Sequence, residues 1–324
     1  MKALWYTGPQ QAELRTQPWR PDPAQVQVQS LHSAISRGTE SLVWRAQVPP
    51  ALHQEMRAPF QQGAFSGAVK YGYCSVGRVL ASPEPSLPVG QRVFCLYPHQ
   101  DRYQVPAAAL TAIPGEVPSR RAVLAANVET ALNAVWDAQP GPGDRISVVG
   151  CGVVGALVAW LCAQLPQTTV QVVDLNPERR ALAESFGTEF RGTEEAEGGQ
   201  DLVIHSSASS AGLSLSLALC AVEARVVELS WYGTQSPSVP LGGAFHSKRL
   251  SIVGSQVGRI PAHRAARWSY ARRMQTVMAL LADPALDALL EPGIPFERLP
   301  AALPGILGAP GRLCQVIDYP KDQD

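Results

Sequence analysis

The chain has 324 residues, of which 46% are hydrophobic and 17% are charged, and its 27 lysines and arginines balance its 27 aspartates and glutamates. This balance gives no electrostatic basis for binding nucleic acid or a membrane surface, and no stretch reaches the roughly 18 uncharged apolar residues that a membrane span needs. The length is typical of two domains.

The cysteines and the amino terminus both indicate the compartment. The six cysteines are scattered without a Cys-x-x-Cys pair, which predicts neither a disulfide framework nor a thiolate zinc site. The amino terminus leads into polar sequence rather than the apolar core of a signal peptide. We therefore expect a cytoplasmic protein.

The predicted elements change character along the chain. The first part, to about residue 110, is rich in proline, glycine turns and short alternating segments such as 25–30, which favours irregular strands. From Arg120 onward, helical and short apolar strand patterns alternate, as in a doubly wound parallel sheet. Helices are predicted at 122–136, 153–165, 211–220 and 262–281, and strands at 146–149, 169–173, 201–205, 225–229, 250–253 and 313–319.

These elements predict an α/β protein with two domains. A β-rich domain is formed by residues 1–120 and 262–324, because we expect the last strand to return to it. A dinucleotide-binding domain with a parallel sheet is formed by residues 121–261.

A glycine turn carries the strongest functional signal. A buried strand runs directly into Gly150, Gly152 and Gly155, which have Gly-x-Gly-x-x-Gly spacing. In such a turn the first glycine permits a tight bend, the second leaves room for a pyrophosphate, and the third lets the following helix pack closely on the strand. The amides of Val153 and Val154, which open that helix, would face the phosphates. The pattern predicts a dinucleotide site, and a glycine turn that binds nothing is the alternative.

An acidic residue completes the motif. Asp174 lies 19 residues after Gly155, at the tip of the next predicted strand, where a carboxylate can accept hydrogen bonds from the adenosine ribose. Asp174 and its neighbour Leu175 are therefore predicted cofactor contacts. The simpler interpretation is that Asp174 only caps the helix beginning at Asn176.

The same region bears on the choice of cofactor. The charge of Asp174 opposes a 2′-phosphate and favours NAD over NADP, whereas Arg179 or Arg180 would favour NADP if either turned toward the ribose. Ser206 and Ser207 directly follow the strand at 201–205. They are predicted contacts for the ribose or nicotinamide end, because ligands cross the carboxyl ends of parallel strands.

Several segments resemble motifs of the medium-chain dehydrogenase/reductase family. Residues 34–40 resemble its Gly-Ile-Cys-Gly-Thr-Asp segment, 70–79 its Gly-His-Glu-x-x-Gly-x-Val segment, 89–93 its Gly-Asp-Arg-Val turn, and 130–134 its Thr-Ala-Tyr-x-Ala helix. The resemblance implies a GroES-like catalytic domain joined to a Rossmann domain, with Thr130 approaching the nicotinamide. Within the family, the sequence at 34–40 and the short length of the chain look most like the branch containing bacteriochlorophyllide dehydrogenase.

The zinc positions depart from that family pattern. Zinc-dependent members hold the metal with a cysteine, a histidine and a third cysteine or glutamate. This chain has Ser36 or Arg37, Tyr73 and Ala126 at those positions, and none is an ordinary zinc ligand. Residues 94–103 also leave no room for the four cysteines of the structural zinc lobe. We therefore expect no zinc.

Side chains would then have to manage the proton of the reaction. Tyr73 takes the place of the family's histidine and is the first candidate for proton donor or oxyanion partner, its phenol acidified by Arg37 or Lys70. A tyrosine that only fills the space of the metal is the alternative. Thr39 falls where zinc enzymes carry a proton-relaying hydroxyl, and Glu40 where they carry an orienting acid, although both could simply cap a turn.

Several other polar residues have more than one interpretation. Glu129 lies beside Thr130 and could act as a base or be a helix N-terminal acid favoured by the dipole. A rearranged metal site formed by Cys74, Glu129 and His99 is conceivable. His99 and His246 are otherwise interpreted as surface residues of loops.

Three functions compete. The first is a zinc-independent NAD(P)-dependent oxidoreductase acting on an alcohol/carbonyl pair of a small metabolite. The second is NADPH-dependent reduction of a quinone or an activated carbon–carbon double bond. The third is a nucleotide-binding regulatory or scaffold protein without catalysis. By analogy with the family, we expect a homo-oligomer, either a dimer or a tetramer.

Overall fold

The computed structural model describes residues 1–309 and 311–320. The chain forms two compact units. The unit for which the sequence predicts a catalytic role, here named the catalytic unit, contains Met1–Ala126 and, of the described residues, 274–309 and 311–320. The unit that contains the glycine turn, here named the nucleotide unit, is Asn127–Arg273. No helix in these ranges is long and apolar enough to cross a membrane.

Strands dominate the first part of the chain, and helices alternate with strands from Ser119 onward. The strands are β1 (Lys2–Gly8), β2 (Gln11–Thr16), β3 (Val26–Ile35), β4 (Gln62–Gly63), β5 (Val69–Lys70), β6 (Ser75–Ala81), β7 (Arg92–Cys95), β8 (Arg102–Val105), β9 (Leu110–Ala112), β10 (Arg145–Val149), β11 (Thr169–Val173), β12 (Glu189–Arg191), β13 (Gln200–His205), β14 (Cys220–Glu228), β15 (Ser251–Gly254), β16 (Leu290–Pro295) and β17 (Cys314–Asp318). The α-helices are α1 (Arg37–Trp44), α2 (Ser119–Ala122), α3 (Ala125–Ala138), α4 (Val153–Ala163), α5 (Arg180–Ser185), α6 (Ser210–Leu219), α7 (Ala262–Ala265), α8 (Tyr270–Leu280) and α9 (Leu299–Leu303).

The catalytic unit is built on two sheets. One has the order β2-β1-β5-β4, and the other has the order β16-β17-β3-β6-β7-β9, with β8 also paired to β3. The first part of β3 alternates buried and half-buried residues, as expected for a strand with one face on a core. The strand predicted at 313–319 is confirmed as β17, which pairs antiparallel with β3.

The nucleotide unit is built on one parallel sheet of order β12-β11-β10-β13-β14-β15. The strands read as nearly continuous apolar runs because helices cover the sheet. This is the doubly wound order, and it confirms the predicted α/β class. The carboxyl ends of all six strands meet at one edge, where Gly150, Asp174 and Ser206 follow three of them.

The long helix predicted at 262–281 is wrong, because it divides into α7 and α8. The Ser269 hydroxyl accepts a hydrogen bond from the Arg272 amide at 3.2 Å. A serine in this position caps the start of a helix, so α8 begins anew at Tyr270. The helix predicted at 122–136 is confirmed as α3, although its start is displaced, because Ala122 is the last residue of α2.

A buried ion pair holds α3 within the nucleotide unit. Arg273, only 2% exposed, donates to Glu129 Oε1 at 3.0 Å from Nε and 2.9 Å from Nη2. It also donates to Asn133 Oδ1 at 2.5 Å and to the Val257 carbonyl at 2.8 Å. Burial raises the pKa of Glu129, and Arg273 opposes that shift. Glu129 lies beyond the first turn of α3, so the helix-dipole interpretation is wrong, and its carboxylate already has a partner.

We expect Glu129→Ala to destabilise the protein by about 3–5 kcal/mol, because it leaves the Arg273 guanidinium buried without its counter-charge. Glu184→Ala is the matched control, since Glu184 pairs with Arg180 on the surface at 3.5 Å and its loss should cost less than about 1 kcal/mol. The free energy of unfolding in guanidinium chloride measures both. Equal effects of the two substitutions would contradict the structural role of the pair.

Candidate functional site

The glycine turn has the geometry of a phosphate cradle. Gly150 has φ +105°, and a Cβ there would lie 2.8 Å from the Ser207 amide nitrogen. A Cβ on Gly155 would lie 1.9 Å from the Gly150 carbonyl oxygen, so the first and third glycines are required by close backbone packing. A Cβ on Gly152, which precedes α4, would meet no atom within 4 Å. Open space therefore faces the helix amides, where a pyrophosphate fits.

Asp174 lies against this turn at the end of β11. Its Oδ2 accepts from the Cys151 amide at 2.6 Å and its Oδ1 accepts from the Asn176 amide at 2.8 Å. The turn that follows is capped by the Asn176 side chain, which accepts from the Glu178 amide at 3.0 Å. The adjacent Leu175 is 83% exposed. A carboxylate and an exposed apolar side chain thus lie together beside the glycine turn, as a ribose and an adenine would require.

The two arginines that follow Asp174 differ in the groups on which they act. Arg180 lies over the Phe190 ring, 4.8 Å from its centroid, and pairs with Glu184. The positive charge of Arg179 instead acts on Cys151 of the glycine turn. Burial and Asp174 raise the pKa of Cys151 to about 12, and the charge of Arg179 opposes that shift. One cation therefore lies near the cradle and bears on the choice between NAD and NADP.

The end of β13 carries a hydrogen-bonded chain that sequence reasoning identified only in part. Ser206 donates to the Gly150 carbonyl at 3.0 Å. The Ser207 hydroxyl lies 2.7 Å from His205 Nε2, and His205 Nδ1 lies 2.7 Å from Glu228 Oε2. Tyr232 donates to the same carboxylate oxygen at 3.0 Å. A histidine and a glutamate that each end an apolar strand were the available signal for this cluster.

A second cluster surrounds Glu40 in the catalytic unit. Glu40 is fully buried in α1. Its Oε2 accepts from the Tyr6 hydroxyl at 2.9 Å and lies 3.0 Å from His99 Nε2, while its Oε1 accepts from the Ser36 amide at 2.8 Å. Glu40 thus reaches back to the start of its own helix, as a cap would, and also binds two side chains from elsewhere in the unit.

His99 extends this cluster, and the prediction that it is a surface residue is wrong. The side chain is fully buried. Its Nδ1 lies 2.8 Å from the Ser33 hydroxyl, which lies 2.9 Å from the Tyr319 hydroxyl. The backbone at Gly72 approaches so closely that a Cβ there would lie 2.8 Å from the imidazole. His246, in contrast, is exposed as predicted.

Tyr73 lies at the border of this cluster and is half-buried. Its hydroxyl forms hydrogen bonds with the side chains of Ser36 and Thr39, and its ring packs edge-on against Tyr71 with centroids 6.0 Å apart. Burial, followed by the charges of Cys74 and Glu40, raises the pKa of Tyr73, and the two hydroxyl hydrogen bonds only partly oppose this.

The expectation that a cation acidifies Tyr73 is therefore wrong. Arg37 donates to the carbonyls of Arg312 and Ala309 at 2.9 and 2.8 Å. Lys70 donates to Gln100 Oε1 at 2.7 Å, and its own burial lowers its pKa to about 8. Neither cation is among the groups that shift the pKa of Tyr73.

The residues at the family's zinc positions do not fit a zinc ion. Ser36 and Tyr73 hydrogen-bond to each other, and Ala126 is a buried methyl group. The alternative set of Cys74, Glu129 and His99 fits a zinc ion no better. Both nitrogens of His99 face hydrogen-bonding partners, and burial raises the pKa of the Cys74 thiol. Within residues 1–309 and 311–320, no three His, Cys, Asp or Glu side chains come together as metal ligands.

The chain has distant sequence relatives, although no protein-family model matches it. An uncharacterized zinc-type alcohol dehydrogenase-like protein of Haemophilus influenzae is 25% identical, over 49% of this chain and 49% of that protein. The chain thus spans about half the length of this relative. D-guloside 3-dehydrogenase of Escherichia coli is 24% identical, over 93% of this chain and 94% of that enzyme.

Solved structures share the fold over the whole chain. L-idonate 5-dehydrogenase of Escherichia coli has a TM-score of 0.79 at 15% identity, over 98% of both chains. An Escherichia coli alcohol dehydrogenase in complex with NADH has a TM-score of 0.75 at 18% identity, over 99% of both chains. A zinc-binding dehydrogenase of Sinorhizobium meliloti bound to NADP has a TM-score of 0.76 at 17% identity, over 98% of both chains. These likenesses show that the chain shares the fold of dehydrogenases that pair a Rossmann domain with a β-rich domain.

The geometry of the glycine turn predicts that one glycine-to-alanine substitution weakens nucleotide binding and that another destabilises the fold. Gly152→Ala should fold normally, because its Cβ meets open space, and should weaken nucleotide binding by roughly tenfold or more, because the methyl group enters the pyrophosphate position. Gly155→Ala should destabilise the fold, because its Cβ overlaps the Gly150 carbonyl oxygen.

Thermal unfolding and NADH titration by nicotinamide fluorescence measure the two effects. Wild-type affinity in a correctly folded Gly152→Ala variant would show that the turn does not hold the cofactor.

Proposed function

We propose that this chain is a nicotinamide-dependent oxidoreductase that moves hydride between its cofactor and an alcohol/carbonyl pair of a small polyol-like metabolite, without zinc. The observation that carries the proposal is the open space at Gly152, flanked by Asp174, at the amino terminus of α4. The relationship to D-guloside 3-dehydrogenase supports a hydroxyl-bearing sugar or polyol as the substrate class.

The cofactor proposed is NAD. The bound nicotinamide would supply or accept the hydride. Gly152 and the amides that open α4 would hold the pyrophosphate, and Asp174 would accept from the adenosine ribose. The Asp174 charge opposes a 2′-phosphate, but Arg179 lies close enough to act on Cys151. Complexes of structural neighbours with NADH and with NADP support a nicotinamide cofactor of either kind.

Tyr73 is the proposed hydrogen-bond and proton donor to the substrate oxygen. Its raised pKa keeps the phenol protonated at neutral pH, so it acts as an acid rather than as a base. Ser36 and Thr39 hold the hydroxyl, and a partly accessible side chain leaves it able to meet a ligand. A fixed donor aimed at a developing alkoxide supplies part of the stabilisation that a zinc ion would otherwise give.

A buried series of hydrogen bonds runs from Glu40 through His99 and Ser33 to Tyr319. It supports the segment whose side chains hold the Tyr73 hydroxyl. A carboxylate only accepts hydrogen bonds, so His99 Nε2 donates to Glu40. His99 Nδ1 then accepts from Ser33, and Ser33 in turn accepts from Tyr319. The hydrogen bonds therefore have one direction, and they fix the start of α1, where Ser36 and Thr39 lie.

Tyr73→Phe tests the proposal, because it removes the donor and keeps the ring. We expect kcat to fall by about 100-fold or more, with the affinity for NADH unchanged. Tyr97→Phe is the matched control, since Tyr97 is a buried tyrosine stacked on Tyr103 at 4.0 Å and its hydroxyl has no proposed part in the reaction.

The assay is nicotinamide absorbance with a panel of polyols, glycosides and their ketones, using NAD and NADP in parallel. Equal turnover by wild type and Tyr73→Phe would remove Tyr73 from the mechanism. Tight cofactor binding without turnover on any member of the panel would instead favour a nucleotide-binding protein that lacks catalysis.

A further inference from the structure

A series of hydrogen bonds joins the side chains of Ser207, His205 and Glu228, and all three lie in the nucleotide unit. His205 and Glu228 are register partners at the ends of β13 and β14. The His205 side chain is fully buried and the Glu228 side chain is 15% exposed, whereas Ser207 is exposed. The amino-terminal turn of α6 packs over them so closely that a Cβ on Gly212 would lie 2.2 Å from the Ser207 hydroxyl and 2.8 Å from His205 Nε2.

The protons of this cluster can be assigned from its donors and acceptors. Burial opposes ionisation of Glu228, but hydrogen bonds from His205 and Ser230 lower its pKa below the ordinary value. The ionised carboxylate only accepts, so His205 Nδ1 carries a proton and donates to it. In the neutral imidazole Nε2 is then an acceptor, so the Ser207 hydroxyl donates to Nε2. The Ser209 hydroxyl, 3.0 Å from the Ser207 hydroxyl, then donates to one lone pair of Ser207, and the other lone pair remains available as an acceptor.

The sheet order decides which part of a dinucleotide would meet Ser207. Asp174 follows β11, the glycine turn follows β10, and Ser207 follows β13, which lies on the other side of β10. A cofactor that runs from Asp174 across the glycine turn reaches Ser207 with its nicotinamide half. That half carries hydrogen-bond donors on its ribose hydroxyls and on its carboxamide.

We propose that His205 and Glu228 are positioning residues that fix the Ser207 hydroxyl as a hydrogen-bond acceptor for a donor of the nicotinamide half, either a ribose hydroxyl or the carboxamide N–H. The inference rests on the proposed cofactor site and adds to it three residues in a defined order. It excludes a phosphate at Ser207, because phosphate oxygens also only accept.

A serine–histidine–carboxylate order also occurs in hydrolases, where it activates a nucleophile. Two observations oppose that use in this chain. The amide after the serine, which commonly serves the oxyanion, donates from Ala208 to the Ser230 hydroxyl at 3.0 Å. The His205 side chain has no exposed surface through which to pass a proton to a leaving group.

Two histidine substitutions separate positioning from general support of the fold. His205→Asn places an amide near the Nδ1 position and can still donate to Glu228, but it cannot reach Ser207. His205→Gln extends an amide toward the Nε2 position and can still accept from Ser207. We expect Ser207→Ala and His205→Asn each to weaken NADH binding by about three- to tenfold, the double variant to be no weaker than either, and His205→Gln to restore most of the affinity.

The controls are Ser214→Ala on α6 and His246→Asn at an exposed position, and both should bind NADH as the wild type does. Two nucleotides locate the donor. If it is the carboxamide, the loss in Ser207→Ala disappears with 3-acetylpyridine adenine dinucleotide, which lacks the amide N–H. If it is the ribose, the loss persists with that analogue and with ADP-ribose. AMP, which lacks the nicotinamide half, should bind all variants equally.

Wild-type affinity for NADH in folded His205→Asn and Ser207→Ala would overturn the inference, as would a double variant whose loss is the product of the two single losses. Labelling of Ser207 by a fluorophosphonate would also overturn it, in favour of a nucleophile. If the wild type itself does not bind NADH, the proposed function fails. That result is distinct from a failure of the positioning role proposed for His205 and Glu228.

Discussion

The buried carboxylate of Glu40 is the constraint on which the catalytic unit depends. A charge without solvent is costly unless its lone pairs are satisfied, and here Tyr6, His99 and the Ser36 amide satisfy them. These partners come from β1, from the loop before β8 and from the start of α1, so the hydrogen bonds of one side chain connect three separate segments. The same charge raises the pKa of surrounding groups, including Tyr73.

On the proposed function, this arrangement would keep the site polar without a metal. A zinc ion would polarise a substrate oxygen directly. In the proposed site, hydroxyl groups stand where zinc ligands would be, and burial, with smaller contributions from Cys74 and Glu40, raises the pKa of Tyr73. The phenol would therefore serve as a neutral donor in place of a Lewis acid. The nucleotide unit uses the same device at its own edge, where the Glu228 carboxylate fixes His205 and, through it, Ser207. In both units a buried anion sets the direction of a hydrogen-bond chain.

Local patterns predicted most of the fold and the cofactor motif, because glycine spacing, apolar runs and Asp174 are properties of short segments. They could not predict pairings between distant residues. His99 contacts Glu40 across 59 positions and Arg273 contacts Glu129 across 144. Local sequence carries no sign of either contact, so it favours an exposed loop histidine and an unpaired helix acid. The break at Ser269 was missed because the apolar pattern continues through it, while its cap depends on the hydroxyl geometry.

The metal content of active protein tests the central claim most directly. The chain should be purified without chelators, its zinc should be measured per chain by elemental analysis, and turnover should be recorded before and after exhaustive dialysis against a chelator. The account predicts far less than one zinc per chain and the same turnover after dialysis. One zinc per chain, with turnover lost on its removal and restored by its return, would contradict it.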